Sequence, residues 1–210
     1  MTIVPGPGDV LVVVDLQNDF LPGGGLAVAG GDEIIAPIEQ LARRFASVVM
    51  TQDWHPADHI SFASNHPGKR PFDTIELAYG PQVLWPDHCV IGSAGAAFAP
   101  SLRLPGSQMI IRKGFRREVD SYSGFREADR KTVTGLAGYL RERGLGRVFL
   151  CGLATDFCVG WTALDARSAG FDAIVIEDAC RAIDAGGSLA KAWSDMADAG
   201  VRRTTISEIG

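Results

Sequence analysis

The stretch "RVFLCGLATDFCVGWTALDARSAG", residues 147–170, decides the fold. Its first six residues are an apolar run that stops at Gly152. A short turn follows, and residues 157–170 then read as a helix ending at Gly170. A short continuous apolar run feeding a helix is the pattern of a strand buried on both faces of a parallel sheet. The pattern recurs in both directions from there. "VLVVVD" (10–15), "SVVMTQD" (47–53), "QMIIRK" (108–113) and "DAIVIED" (172–178) read as strands, and "VRRTTIS" (201–207) as a last strand at an edge. Residues 32–46 read as a helix with Asp32 as a candidate N-cap, although Pro37 disturbs the pattern. Residues 131–144, which end in basic residues and Gly144, and residues 187–200 read as further helices. Strands alternating with helices predict a three-layer α/β/α fold with a central six-stranded, mainly parallel sheet, and residues 1–210 as one domain.

The bulk numbers agree with that class. Hydrophobic residues make up 46% of 210, enough for a large core without disulfide support. The formal charge is −5, which argues against nucleic acid as a partner. The densest basic stretch, residues 112–131, also holds Glu118, Asp120, Glu127 and Asp129 and reads as a solvated loop. No apolar run is long enough to span a membrane, and the first fifteen residues lack the basic start of a signal peptide. A cytoplasmic location is expected, with Cys89, Cys151, Cys158 and Cys180 as reduced thiols. Residues 54–107 break the strand–helix rhythm and carry seven of the eleven prolines. Irregular segments that long in a compact fold are commonly functional.

In an open parallel sheet, ligands bind beyond the carboxyl ends of the strands. Asp15 ends the first strand, Asp53 the second and Lys113 the third, while the fourth leads through "GLATDF" to Cys158. Each has a bland reading alone: a loop cap, a surface lysine, a buried inert thiol. Their shared edge favours one site. Cys158 near a helix mouth, with Lys113 close by, reads as a nucleophile, and Asp15 as the base that takes its proton. Backbone N–H groups around 154 and 158 would face a developing oxyanion. Cys151 lies within a strand and reads as core, and Cys180 lacks a comparable set of charges. A second group is Asp53 with His55, joined by His88 in "WPDHC". Asp-x-His in an extended segment puts carboxylate and imidazole on one side, a donor set suited to Zn²⁺, Fe²⁺ or Mn²⁺. His59 lies in the same region, and His66 reads as a surface loop residue.

The segments "VVVDLQNDFLPGGGLAV", "TQDWHPADHISFA", "LWPDHCVIGSAGAAF", "IIRKGF" and "CGLATDFCV" together resemble the nicotinamidase/pyrazinamidase family of the isochorismatase-like cysteine hydrolases. They occur in order over most of the chain. The resemblance implies deamidation of nicotinamide to nicotinate and ammonia, with pyrazinamide as a related substrate, in NAD salvage. It implies an Asp–Lys–Cys triad at Asp15, Lys113 and Cys158, and one divalent metal, zinc first, on Asp53, His55 and His88. It also implies a cis peptide at Leu153–Ala154, aiming the amides of Ala154 and Cys158 at the oxyanion. Phe20, Trp85 and Tyr122 would sandwich the ring, with Leu26 and Phe157 lining the same pocket. Phe157 stands where some members carry histidine, so the wall there is more apolar. His59 or Ser61 is left open as a contributor to the metal shell, as is homo-oligomerisation.

Rival readings are an amidase acting on another small carboxamide or carbamoyl compound, an isochorismatase, and a thiol-based binding or redox module. An isochorismatase would need neither Cys158 nor the Asp53, His55 and His88 group. The thiol module gives Asp15 and Lys113 no role.

Overall fold

The computed structural model describes residues 2–210. Six strands form one sheet: β1 (Asp9–Val14), β2 (Val48–Asp53), β5 (Ser107–Lys113), β6 (Arg147–Leu153), β7 (Asp172–Arg181) and β8 (Arg202–Thr204), in the order β5-β2-β1-β6-β7-β8. Every pairing in it is parallel. The central strands β1 and β2 are buried along their whole length, which is why they read as unbroken apolar runs. Helix α1 (Ile35–Ala42) connects β1 to β2. Helices α2 (Leu136–Glu142), α3 (Gly160–Ser168) and α4 (Ser188–Asp198) connect β5 to β6, β6 to β7 and β7 to β8.

The β1-to-β2 connection runs in the opposite direction across the sheet from the other three. Right-handed crossovers therefore set α1 on one face and α2, α3 and α4 on the other. Contacts agree: Phe45, just beyond α1, meets Phe149 of β6 at 5.0 Å between ring centroids, while Arg141 of α2 donates to the Ala169 carbonyl at the end of α3. The chain thus reverses its winding between β1 and β6. The carboxyl ends of these two strands open the crevice where such folds bind ligands.

Several boundaries differ from the sequence reading. α1 starts at Ile35, so that Pro37 falls in its first turn, where a missing N–H costs nothing. Asp32 does not cap it; the N-cap position is Ile34, without a side-chain bond. The 131–144 helix shrinks to α2 because Gly135 is left-handed and residue 133 pairs with Arg126 in an isolated bridge. β8 ends at Thr204, since Thr205 and Glu208 form a capping box for a final helical turn. The irregular segment 54–107 contains an unforeseen antiparallel hairpin, β3 (Thr74–Leu77) and β4 (Gly80–Val83). Its bridges His55–Val90 and Phe62–Trp85 tie it back on itself beside the end of β2.

Candidate active site

Four strand exits converge as expected. Asp15, Lys113 and Cys158 are buried, and so are Asp53, His55 and His88. Lys113, fully enclosed at the end of β5, is the hub. Its Nζ lies 2.9 Å from Asp15 Oδ2, 2.5 Å from Asp53 Oδ1 and 3.3 Å from Cys158 Sγ, and it donates to the Ser121 carbonyl at 3.1 Å. An ammonium can be buried here because two carboxylates and a carbonyl replace its water. Burial alone would lower the Lys113 value, but Asp15 and Asp53 hold it well above the ordinary lysine value.

The two carboxylates differ. Asp15 adopts a left-handed conformation and accepts from Thr51 Oγ1 at 2.6 Å through Oδ1. Its Oδ2 is ion-paired with Lys113 but receives no directed hydrogen bond. Burial pushes the Asp15 carboxyl up, Lys113 pulls it down and Asp53 adds to the rise, so it stays raised. Burial acts on Asp53 in the same sense, but Lys113 and His55 outweigh it and hold Asp53 well below the usual carboxylate range. Asp15, Asp53 and Cys158 present donor atoms within 4.8 Å of one another. Burial pushes the Cys158 thiol well up despite the pull of Lys113. Burial and Lys113 thus act on the Cys158 thiol in opposite senses. The nearest carboxylates to the thiol are those of Asp15 and Asp53.

Gly152 makes this convergence possible. It sits at φ 116°, and a Cβ on it would overlap the Val14 carbonyl. Only a glycine lets β6 approach the end of β1 this closely. The Leu153–Ala154 peptide is cis. Residues Thr155–Val159 then form a single π-helical turn before α3, with the N–H groups of Phe157 and Val159 both bonded to the Ala154 carbonyl. Cys158 thus sits in this turn, ahead of the α-helix itself.

Asp53 also belongs to the second group. Its Oδ2 is 3.5 Å from His55 Nε2 and 3.7 Å from His88 Nε2. His55 Nδ1 is 2.8 Å from the Gly114 carbonyl and His88 Nδ1 is 2.8 Å from the Pro86 carbonyl. Each Nδ1 therefore carries the proton, and each Nε2 lone pair turns toward Asp53, the arrangement of histidines that hold a metal. All three donor atoms lie within 4.8 Å of one another. Two imidazoles and a carboxylate with outer-sphere support fit a divalent cation. His59 differs. Its Nδ1 accepts from the Ser61 N–H at 3.3 Å and lies 2.7 Å from the Ser61 hydroxyl, and its Nε2 donates to the Val119 carbonyl at 3.2 Å. Both nitrogens are occupied, although His59, His55 and Asp120 offer another compact donor trio. Burial and the neighbouring His55 push His59 down to about 4.

The five apolar positions singled out from sequence all border one small cavity: Phe20, Leu26, Trp85, Tyr122 and Phe157, together with Ala154, Cys158 and the metal trio. Trp85 and Phe157 meet edge to face at 4.8 Å, and Trp85 Nε1 donates to the Tyr122 hydroxyl at 3.0 Å. Sequence reasoning missed Asp120 and Ile183, which also line it, and Thr51 beneath Asp15. Ile183 is positioned by Asp156, whose carboxylate accepts the N–H groups of Ile183 and Asp184 at 3.0 and 2.8 Å. Two polar residues of "DLQNDF", Gln17 and Asp19, act as braces. Gln17 bonds both backbone groups of Asp53, and Asp19 accepts the Cys89 N–H at 2.7 Å. The four cysteines are free thiols, and Cys151 and Cys180 are buried within strands.

The sequence pattern of the isochorismatase domain matches residues 9–208. The chain belongs to the isochorismatase family. Within that family, the nicotinamidase of Acinetobacter baylyi is 62% identical over 199 residues, covering 95% of this chain and 93% of that protein. The structure superposes on PnC1 of L. infantum in complex with nicotinate with a TM-score of 0.88 and 39% identity, over 100% and 99% of the two chains. It superposes on the pyrazinamidase of Pyrococcus horikoshii in complex with zinc with a TM-score of 0.78 and 36% identity, over 95% and 99%. Among the described residues, no helix is long and apolar enough to cross a membrane.

Proposed function

We propose that this protein hydrolyses nicotinamide to nicotinate and ammonia, with pyrazinamide as a second substrate, as a cytoplasmic enzyme of NAD salvage in which residues 1–210 act as one domain. The observation that carries the reading is the shared Asp53 carboxylate, with Oδ1 on Lys113 of the triad and Oδ2 toward His55 and His88. It couples a cysteine nucleophile to a site that can grip a heterocyclic nitrogen. The high identity to the A. baylyi nicotinamidase and the nicotinate complex of the L. infantum protein support it.

Asp53, His55 and His88 would hold one divalent cation, and the donor set and the zinc complex of the P. horikoshii pyrazinamidase favour zinc. When bound, the cation supplies a Lewis-acidic point that holds the ring nitrogen of the substrate. The chain does the rest. Phe20, Trp85 and Tyr122 bracket the ring, while Leu26 and Phe157 exclude water. Asp15 takes the Cys158 proton, and the thiolate adds to the carboxamide carbon. The amides of Ala154 and Cys158 hold the oxyanion. Asp15 returns its proton to the amine, the C–N bond breaks and ammonia leaves. Water, losing its proton to Asp15, then cleaves the thioester to give the carboxylate and restore the thiol. The raised value of Asp15 suits a group that must both accept and return a proton. Lys113 holds Asp15 and the thiolate in register.

The test is ammonia release from nicotinamide by the purified enzyme, with its metal content read by elemental analysis. The expected result is stoichiometric ammonia and nicotinate, lost on chelation and restored by zinc. Absence of ammonia from the metal-replete enzyme refutes the reading.

A further inference from the structure

Beside the catalytic cavity runs a second, larger concavity of about 680 Å³ between α3, α4 and the loop after β5. Tyr79, Arg130, Trp161, Leu164 and Ala192 are among its walls. Two aromatic residues, Tyr122 and Phe157, border both spaces. They are held differently. Tyr122 is anchored by hydrogen bonds, since its hydroxyl accepts from Trp85 Nε1 at 3.0 Å and from Gln82 Nε2 at 3.1 Å. Phe157 is held by ring contacts alone, to Trp85 at 4.8 Å and to Tyr122 at 5.7 Å. Its backbone lies in the π-helical turn next to Cys158, so its ring stands beside the reacting centre. Beyond the pair, Trp161 continues the aromatic surface into the groove, 5.6 Å from Tyr122.

We propose that Phe157 is a specificity-determining residue, a partition that confines the enzyme to small heteroaromatic carboxamides by closing the catalytic cavity off from the aromatic groove lined by Trp161. The inference rests on the amide-hydrolysis reading and deepens it. On the catalytic side, Phe20, Trp85 and Tyr122 border the small cavity proposed to take the substrate ring. Across the Phe157 ring from the cavity lie Trp161, Leu164 and Ala192, in a groove that also carries Arg130, Lys191 and Asp195 on its walls. Trimming Phe157 joins the two spaces without removing a polar group of the triad or the metal trio. Nicotinamides carrying an additional aryl group then become substrates, by the same hydrolysis at Cys158.

The experiment compares kcat/KM by ammonia release for nicotinamide and for its 5-phenyl and 6-phenyl derivatives, in the native enzyme, Phe157→Ala and Phe157→Leu. Nicotinamide turnover falls in both variants because a ring contact is lost, so the readout is the ratio of aryl-substituted to unsubstituted substrate. For at least one isomer the ratio is expected to rise by ~10-fold or more in Phe157→Ala, and by less in Phe157→Leu, in line with the worth of small volume changes in apolar pockets. Adding Trp161→Ala to Phe157→Ala is expected to remove much of the gain, whereas Trp161→Ala alone leaves the ratio at its native value. An unchanged ratio for both isomers in a variant that still hydrolyses nicotinamide overturns the proposal. A gain indifferent to Trp161→Ala overturns it too, since the substituent then does not enter the groove. If Phe157→Ala does not fold, Phe157→Leu carries the comparison. Failure of the native enzyme on nicotinamide itself would instead strike the functional reading.

Discussion

Strand β1 carries an aspartate at each end, and the two live in opposite circumstances. Asp9 opens the strand, opposite Arg147 in the β1–β6 register. Arg147 grips it with Nε on one oxygen at 2.7 Å and Nη2 on the other at 2.5 Å, and the Gly6 N–H adds a third bond at 2.6 Å. Burial pushes Asp9 up, but Arg147 and Gly6 outweigh it and its value is lowered. Asp15 follows the strand at its carboxyl end. It also faces a cation, yet Oδ2 receives no directed bond, and its value is raised. A satisfied carboxylate stabilises the fold, whereas an under-satisfied one beside a thiol is ready to take a proton. Among the described residues the other buried side-chain oxygen without a hydrogen-bond partner is Glu127 Oε2, 3.6 Å from Arg116 Nε and outside the catalytic cavity. An orphan oxygen is therefore not by itself a mark of catalysis; what sets Asp15 apart is the neighbouring Cys158 thiol.

This contrast can be broken by substitution. The largest effect is expected from Cys158→Ala, a loss of ~10⁴-fold or more in ammonia release with the fold kept; near-native turnover would remove the nucleophile from the scheme. Asp15→Asn, which keeps shape but cannot accept the proton, is expected to lose about 10²–10⁴-fold in kcat. A wild-type rate in that variant would make the two ends of β1 equivalent. Asp9→Asn is expected to leave kcat intact and to cost about 1.5–3 kcal/mol in urea denaturation at neutral pH. Because the folded Asp9 value lies below the ordinary 3.8, its contribution is present above that pH and fades as pH falls through the folded value. Native and variant stabilities should converge in strong acid, and a constant gap would contradict the ion-pair reading. The smallest effect concerns Glu127, pushed up by burial to about 7 although Arg116 pulls the other way. Its ionised form penalises the fold, so the penalty is absent below about 4.5, builds as pH rises from there to about 7, and is fully present above that. Glu127→Gln should therefore raise Tm by about 2–4 °C at alkaline pH and not below the ordinary value of 4.5, with turnover little changed. A loss of activity as large as that of Asp15→Asn would extend the catalytic role to Glu127.

Much of the site was legible because its chemistry sits at strand ends. "VLVVVD", "SVVMTQD" and "QMIIRK" announce buried strands by composition, and their last polar residues mark where each emerges. The helix lengths were less legible. Pro37 and Gly135 shortened two helices from their amino ends. The β3–β4 hairpin escaped notice because each strand is only four residues long and mostly outside the core, and Gly80 and Pro81 open the second. Asp120, Ile183, Thr51 and Gln17 gave no local signal, since each acts through a partner distant in sequence. Thr51 meets Asp15 across 36 positions and Gln82 meets Asp120 across 38.

By itself the sequence determined the βα alternation, the residue types at the strand exits and the Asp-x-His spacing, because these depend on burial pattern and on neighbours within a few positions. Tertiary structure alone decided which oxygen of Asp15 lacks a directed hydrogen bond, how Asp53 divides its carboxylate between Lys113 and the two histidines, and that Phe157 and Tyr122 border two cavities at once. Those outcomes depend on distances and angles between groups that the chain brings together only after the sheet has closed and water has left. There, a shift of about an ångström exchanges a satisfied carboxylate for a reactive one.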